Sequence, residues 1–335
     1  MTAMAREIAE IPAAATRLLG RSDETGAIVD RIRAFRPRAV IVCGRGSSGN
    51  VGVYLRYLIE TQMQLLVSSA APSIVTAYRR IPDMRGALFV LISQSGRSPD
   101  LVSTTEVARS AGALTLAIVN DDRSPAAEAA DLVLPIGAGP EHAIAATKTV
   151  ALSMIAGAQV VAGITQDSGL RDGLLRLPDR LQLALGCDWS AWGNSLVSAP
   201  AAFVAARGYG LGSSREIALK VAETLRLPAL GYSAAELRHG PRAAITPETP
   251  VLVLRQNDES APGVDLLVHD LREADETVFL AGGPEGSLPW IGDDHPACDP
   301  IAMLLPAYKV IEAAARQRGL DPDRPEHLSK ITQTL

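Results

Sequence analysis

Three ionisable side chains, Glu216, Lys220 and Glu223, stand at i, i+4 and i+7 in a segment whose other residues include Ile217, Ala218, Leu219, Val221, Ala222 and Leu225. On a helix that spacing puts all three on one face. A surface helix normally carries a broad polar side, and here the charged stripe is narrow. A narrow stripe suits the wall of a cleft, with Lys220 held between two carboxylates and Glu223 free to carry a proton. An exposed ladder of weak ion pairs has the same spacing and remains the alternative. Glu216 also follows Ser213 by three residues, the spacing of a capping box. Further on, His239 precedes Gly240-Pro241 and so sits on a turn, where histidine suits acid–base work, although a lone histidine is more often structural. Lys330, in Leu328-Ser-Lys330, belongs to a tail in which a lysine is ordinarily solvated.

A second set of residues could hold an anion. Gly44, Gly46 and Gly49 make a GxGxxG between a β-branched run and a helical stretch, the outline of a dinucleotide turn. That reading needs an acidic residue about 20 residues on, at the end of the next strand. The strand here ends Val67-Ser-Ser-Ala70, without a carboxylate. A phosphate fits better: Ser47 and Ser48 place hydroxyls at a helix start, where unpaired backbone N–H groups already favour an anion. Ser93-Gln-Ser-Gly-Arg-Ser-Pro-Asp100 makes the same offer after another strand. Ser98 suits the N-cap, Pro99 the first helical position and Asp100 the first turn. Ser93, Gln94 and Ser95 then lie above the carboxyl end of a strand, where open α/β sheets bind ligands. Ordinary turn and capping chemistry is the plainer explanation of each loop alone.

The elements that must position these residues follow from periodicity. Helical patterns cover 3–19 and 25–35. Strands at 38–43, 64–68, 87–92, 114–119 and 132–135 alternate with helices at 51–62, 99–111 and 124–130, and a helix over 143–163 closes the first half. The second half repeats the rhythm, with strands at 200–206, 250–254 and 277–281, a helix reaching about 226 and another at 301–318. Alternation of this kind predicts an α/β chain with parallel sheets covered on both faces. The turns at 44–48 and 207–214 look alike, as do the strand ends Ile92-Ser-Gln94 and Leu254-Arg-Gln256, which points to a diverged internal duplication. The expected division is a first half over 1–165, a linker with its own helical stretch over 166–194, and a second half over 195–335.

Composition narrows the classes. The 335 residues are 47% hydrophobic, 21% charged and 4% aromatic, and 32 Lys and Arg against 37 Asp and Glu give a net charge of −5. A general nucleic-acid binder shows a basic excess and aromatic stacking platforms, and this chain has neither. The N-terminal MTAMAREIAEIP lacks an apolar core for a signal peptide, and no run of about 20 apolar residues predicts a membrane span. Cys43, Cys187 and Cys298 are odd in number and far apart, which disfavours disulfides and zinc and fits a reducing cytoplasm.

Together these segments resemble the SIS (sugar isomerase) domain proteins with two tandem SIS domains. The motifs are Gly46-Ser-Ser48, Ser93-Gln-Ser-Gly96, Gly139-Pro-Glu141 through Ala145-Ala-Thr-Lys148, Glu216 through Glu223, Glu236-Leu-Arg-His-Gly-Pro241 and Leu328-Ser-Lys330, and they run over nearly the whole chain. The sequence is similar to the isomerase half of glucosamine-6-phosphate synthases, and more so to the synthase-like glucosamine-6-phosphate deaminases. The resemblance implies that Ser48, Ser93, Gln94, Ser95 and Ser98 bind the sugar phosphate, beside Ser47, with Thr147 a further sugar contact. It implies that Glu223 moves a proton between C1 and C2, supported by Lys220 and Glu216. His239 would help to open the ring, often from a neighbouring subunit, and Lys330 would lie over the open-chain sugar and could form an imine with the ketose. No cofactor or metal is implied, and the expected partners are a small sugar phosphate and a second copy of the chain in a homodimer, with neither nucleic acid nor membrane.

The synthases carry a glutaminase domain that begins with a nucleophilic cysteine, whereas this chain opens Met1-Thr2 without one. The expected reaction is therefore release of ammonia: glucosamine 6-phosphate to fructose 6-phosphate. Ala71-Pro-Ser73 replaces an acidic and aromatic segment of the synthases, and Gly139-Pro-Glu141 with Ala146 resembles the deaminases. Arg97 stands where the synthase loop commonly has an acid, which leaves the sugar open. A fructosamine phosphate deglycase or another aminosugar phosphate isomerase is the alternative, and a non-catalytic sugar-phosphate sensor is a third.

Overall fold

The computed structural model describes residues 1–292 and 294–330; the tail beyond Lys330, part of the expected second half, lies outside the described residues. Helices α1 (Ala3–Leu19) and α2 (Ser22–Phe35) open the chain. Then come β1 (Ala39–Cys43), α3 (Gly46–Gln62), β2 (Leu66–Ser69), α4 (Pro72–Thr76), β3 (Ala87–Ser93), α5 (Pro99–Ser110), β4 (Leu114–Val119), α6 (Pro125–Ala129) and β5 (Leu132–Pro135). Three helices follow, α7 (Lys148–Thr165), α8 (Ser168–Ala184) and α9 (Ser190–Ser198). The second alternation is β6 (Ala202–Ala206), α10 (Gly210–Leu225), β7 (Ala229–Ser233), α11 (Ala234–Arg238), β8 (Val251–Leu254), α12 (Ala261–Glu273), β9 (Val278–Ala281) and α13 (Asp299–Gln317).

The first sheet runs β2-β1-β3-β4-β5 and the second β7-β6-β8-β9, every pairing parallel, as the α/β reading requires. Every residue of β3 and β4 is buried, the mark of central strands covered by helices on both faces. Matching β6 to β1 makes the order of the first four strands identical in the two sheets. In each, the chain leaves the first strand toward one edge and returns on its other side. The gap above that reversal is where a doubly wound sheet binds ligands.

The chain condenses into two compact units, neither of them one continuous stretch: Met1–Pro12, His142–Thr147 and Arg176–Leu328 form one, and Ala13–Glu141, Lys148–Leu175 and the segment from Ser329 the other. Hydrogen bonds explain the short insertions into the first of these. The Ala3 and Met4 amides, unpaired as the first N–H groups of α1, donate to the Asp323 carboxylate at 2.7 and 2.8 Å. The carboxylate of Glu7, buried, accepts from the His142 and Ala143 amides, and the Ile144 amide donates to the Asp323 carbonyl at 3.0 Å.

Those contacts correct one expected element: the helix read over 143–163 begins at Lys148, because residues 142–147 are pinned as an irregular segment by partners distant in sequence. The helix read from 51 begins at Gly46, so Ser47 and Ser48 lie in its first turn. Ser213 lies inside α10, whose N-cap residue is Tyr209, and its hydroxyl donates to the Pro300 carbonyl at 2.9 Å, so the capping box with Glu216 does not form. The short α4, β7 and α11, and the helix α12, were not anticipated from periodicity. Helix α7 is long and apolar enough to cross a membrane, but 78% of it is buried inside the protein, as befits a core helix.

Two glycines set the loops at the carboxyl edge of the first sheet. A Cβ on Gly44 would stand 2.9 Å from the Ser48 backbone, so the turn from β1 into α3 closes only without one. Gly96 has φ +63°, and a Cβ there would lie 2.1 Å from Ser124 Oγ, the group that caps α6. Gly96→Ala is therefore expected to cost about 1–3 kcal/mol, from backbone strain and a displaced cap, read as a lower urea midpoint with an unchanged m-value.

Candidate functional site

The two serine-bearing loops emerge side by side, because β1 and β3 are adjacent and in parallel register, with Cys43 opposite Leu91. Ser47 and Ser48 are half-buried in the first turn of α3, where the N–H groups have no partner within the helix. Ser93, the last residue of β3, is buried, and its hydroxyl accepts from the Gly96 amide at 3.0 Å, which folds the loop back on itself. Gln94 and Ser95 are half-buried, and the Ser95 hydroxyl accepts from the Arg97 amide at 3.3 Å. Ser98 is the N-cap residue of α5, as expected, yet its side chain makes no capping bond. Two helix starts and a group of serines thus share one sheet edge, an arrangement able to hold a small anion through neutral donors and helix dipoles.

An ion pair that sequence reasoning missed ties the loops together. Arg45, between the glycines of the first turn, donates to the buried Asp100 carboxylate of α5 through Nε at 2.6 Å and Nη2 at 2.5 Å. The other carboxylate oxygen accepts from the Leu101 amide at 2.9 Å. Asp100 was legible as a first-turn acid, but nothing local marks Arg45 as its partner. Beneath them, burial and then the Asp100 charge push the Cys43 thiol up to about 12, which leaves it unsuited to nucleophilic work.

The polar stripe is not a surface ladder. Glu216 and Lys220 are buried, and the Glu223 side chain keeps 22% of its surface exposed. Lys220 Nζ lies 3.4 Å from Glu216 and in a short hydrogen bond with Glu223. The Tyr308 hydroxyl of α13, also buried, donates to Glu216 at 3.3 Å. Burial opposes the charge on Lys220, but the Glu216 and Glu223 carboxylates outweigh it, so the ammonium is held above its ordinary pKa. The cluster thus presents one partly exposed carboxylate, Glu223, backed by a fixed buried cation. Tyr308, missed from sequence, could be found only through its contact.

His239 caps the C-terminus of α11 and is exposed, its amide donating to the Glu236 carbonyl at 3.0 Å; it takes no part in the hydrogen bonds that join Glu216, Lys220 and Glu223. Thr147 is buried immediately before α7. Lys330 reaches the carboxylate of Glu141, Nζ to Oε2 3.2 Å, so this tail lysine is not simply solvated.

At the corresponding edge of the second sheet the turn is filled by protein. Arg255, after β8, makes a two-pronged pair with Asp265 at 2.7 and 3.0 Å, and the Gln256 amide lies 2.6 Å from where a Cβ on Gly210 would stand. Sequence likeness between Ile92-Ser-Gln94 and Leu254-Arg-Gln256 therefore marks common topology rather than a second serine-lined edge.

The family model described as SIS domain matches residues 35–163 and 195–285, and the chain belongs to the SIS domain family. The glutamine–fructose-6-phosphate aminotransferase (isomerizing) of Symbiobacterium thermophilum is 32% identical over 98% of this chain and 58% of its own length. The chain thus spans little more than half of that relative. A crystal structure from Silicibacter pomeroyi DSS-3, of a protein proposed to be a phosphosugar isomerase, is 36% identical with a TM-score of 0.92, covering 96% of this chain and all of the other. The glucosamine-6-phosphate deaminase of Thermotoga maritima shares the fold, with a TM-score of 0.81 at 22% identity over 99% of this chain and 100% of its own.

Removing the cation from the stripe should leave two carboxylates without it. Lys220→Met is expected to cost about 3–5 kcal/mol at pH 7, measured by chemical denaturation. Because the folded-state pKa is raised, the lysine's contribution is complete below its unfolded value of about 10.4 and is lost as pH climbs through the folded one. The gap between wild type and variant should therefore hold from pH 6 to 9 and narrow only in stronger alkali.

Proposed function

We propose that the chain is a phosphosugar isomerase that converts glucosamine 6-phosphate to fructose 6-phosphate and ammonia. The observation that carries the reading is the Glu223 carboxylate, partly open and held by a buried ammonium that is itself braced by Glu216. An aldose–ketose shift needs one base able to take a proton from C2 and return it to C1, and a carboxylate suffices. On a 2-amino sugar that shift leaves an imine at C2, and one water hydrolyses it to the ketose and ammonia. The atoms balance without an oxidant or reductant.

In this reading the phosphate is taken by Ser47, Ser48, Ser93, Gln94, Ser95 and Ser98, with Thr147 as a further sugar contact. His239, exposed on its turn, opens the ring and is supplied by the second subunit of a homodimer. Lys330 covers the open-chain sugar. Support comes from the family, from the serine-lined sheet edge, and from the likeness to isomerising relatives. A specific observation favours a second reading. Arg97 forms an exposed ion pair with Asp121 at 2.9 Å on the rim of the serine loop, where synthases commonly carry an acid. A larger or differently substituted amino sugar phosphate, as in a fructosamine phosphate deglycase, would meet that rim first.

A panel of phosphorylated amino sugars, read as ammonia released and ketose formed, separates these readings. Glucosamine 6-phosphate is expected to lead; brisk turnover of another substrate with none of this one would replace it. Glu223→Gln should lower kcat by about 10²–10⁴-fold, and an undiminished rate would remove the base from its role. Mixing His239→Ala with Glu223→Ala subunits should restore part of the activity that each lacks, whereas silence after demonstrated subunit exchange would mean that the site is not shared.

A further inference from the structure

Glu141 has no part in the proposed reaction, yet its surroundings are built around its charge. Its side chain is fully buried, and it stands just before the irregular segment that precedes α7. Thr149, in the first turn of α7, donates to it twice, through the amide to Oε1 at 3.1 Å and through the hydroxyl to Oε2 at 2.8 Å. Those bonds would be served as well by a neutral glutamine. A buried carboxylate is held more firmly when a cation also meets its charge, and Lys330 supplies one from 189 residues further along the chain, Nζ to Oε2 3.2 Å. The other lysine at this loop, Lys148, is buried and donates from Nζ to the Pro140 carbonyl at 2.9 Å.

A lysine side chain has many rotamers to lose when it is held in one place. Here the amine is anchored to a carboxylate that is itself fixed by a helix start, while the Lys330 side chain keeps 26% of its surface exposed. We propose that Glu141 is a positioning residue for Lys330: it holds the tail lysine's Nζ at a set place while leaving it open to a ligand. The inference rests on the reading of Lys330 as the lysine over the open-chain sugar.

The test uses Glu141→Gln, an isostere that can keep both Thr149 bonds, and Glu141→Asp, which keeps the charge. First, full-length protein is acetylated with limiting acetic anhydride and the modification of Lys330 is measured by peptide mass spectrometry against Lys309, an exposed lysine elsewhere. An amine in an ion pair with a fixed carboxylate reacts slowly, so the Lys330 to Lys309 ratio should rise at least about threefold in Glu141→Gln and less in Glu141→Asp. An unchanged ratio overturns the proposal. Second, with glucosamine 6-phosphate, Glu141→Gln should lower kcat about tenfold with KM within about threefold, and Glu141→Asp should recover part of the loss. Unchanged kcat, or equal loss in both variants, overturns the positioning role. If Glu141→Gln does not fold, Thr149→Val, which loosens the carboxylate from its other side, should raise the acetylation ratio in the same direction, and no rise overturns the proposal. If wild-type protein turns over no sugar phosphate, the functional reading fails, while the acetylation ratio still decides whether Glu141 holds Lys330.

Discussion

A lysine ammonium without exposed surface is costly to keep charged unless compensating acceptors, and best of all negative charge, lie within bonding distance. Lys220 meets that condition through carboxylates one turn to either side on its own helix. The constraint then spreads outward. Helix α10 must turn its charged stripe inward between its neighbours, β6, β7 and α13, and α13 must bring Tyr308 to the far side of Glu216. Of the three charged groups only Glu223 is left partly open. A partly open carboxylate held by a buried cation is thus a consequence of how one apolar helix was made compatible with three charges.

The serine-lined edge of the first sheet solves a different problem. An anion can be bound without a basic surface if neutral hydroxyls and the positive ends of helices converge, and two neighbouring helix starts with their serines share this edge. Parallel strands make this possible, because every strand of such a sheet ends at the same edge. The turns still need glycine where backbone approaches backbone, at Gly44, and where a neighbouring cap intrudes, at Gly96. The bridge between Arg45 and Asp100 fixes the spacing of the two loops with an internal charge pair. A net charge of −5 is therefore no obstacle to a phosphosugar ligand.

Duplication explains why the two sheets share a strand order and why their edges differ. The order is preserved by the packing of helices on parallel strands. The loops at the strand ends carry no such burden, and the second sheet has filled its turn with the Gln256 amide and the pair of Arg255 with Asp265. Likeness along the sequence survives in the glycines and strand ends that build the framework, while the groups that could meet a ligand have diverged.

Local pattern was enough for the strands other than β7, for the long helices other than α12 and for the recognition that Glu216, Lys220 and Glu223 share a face, since these depend on periods of 2 and 3.6 within one segment. It also singled out the two serine loops and Ser98 as an N-cap. It misplaced the starts of α3, α7 and α10 and assigned Ser213 a capping role, because helix ends are decided by whichever partners reach them. Ser213 serves the Pro300 carbonyl instead, and residues 142–147 answer to Glu7 and Asp323. The pairs Arg45 with Asp100, Tyr308 with Glu216, and Lys330 with Glu141 join residues 55, 92 and 189 apart, and no local pattern marks them. The sequence by itself determined the architecture and the kinds of chemistry on offer, because hydrophobic period and turn residues act over one or two turns. Only the tertiary structure decided which charges are buried, which are paired and which stay open, because those depend on packing between segments that the chain brings together from far apart.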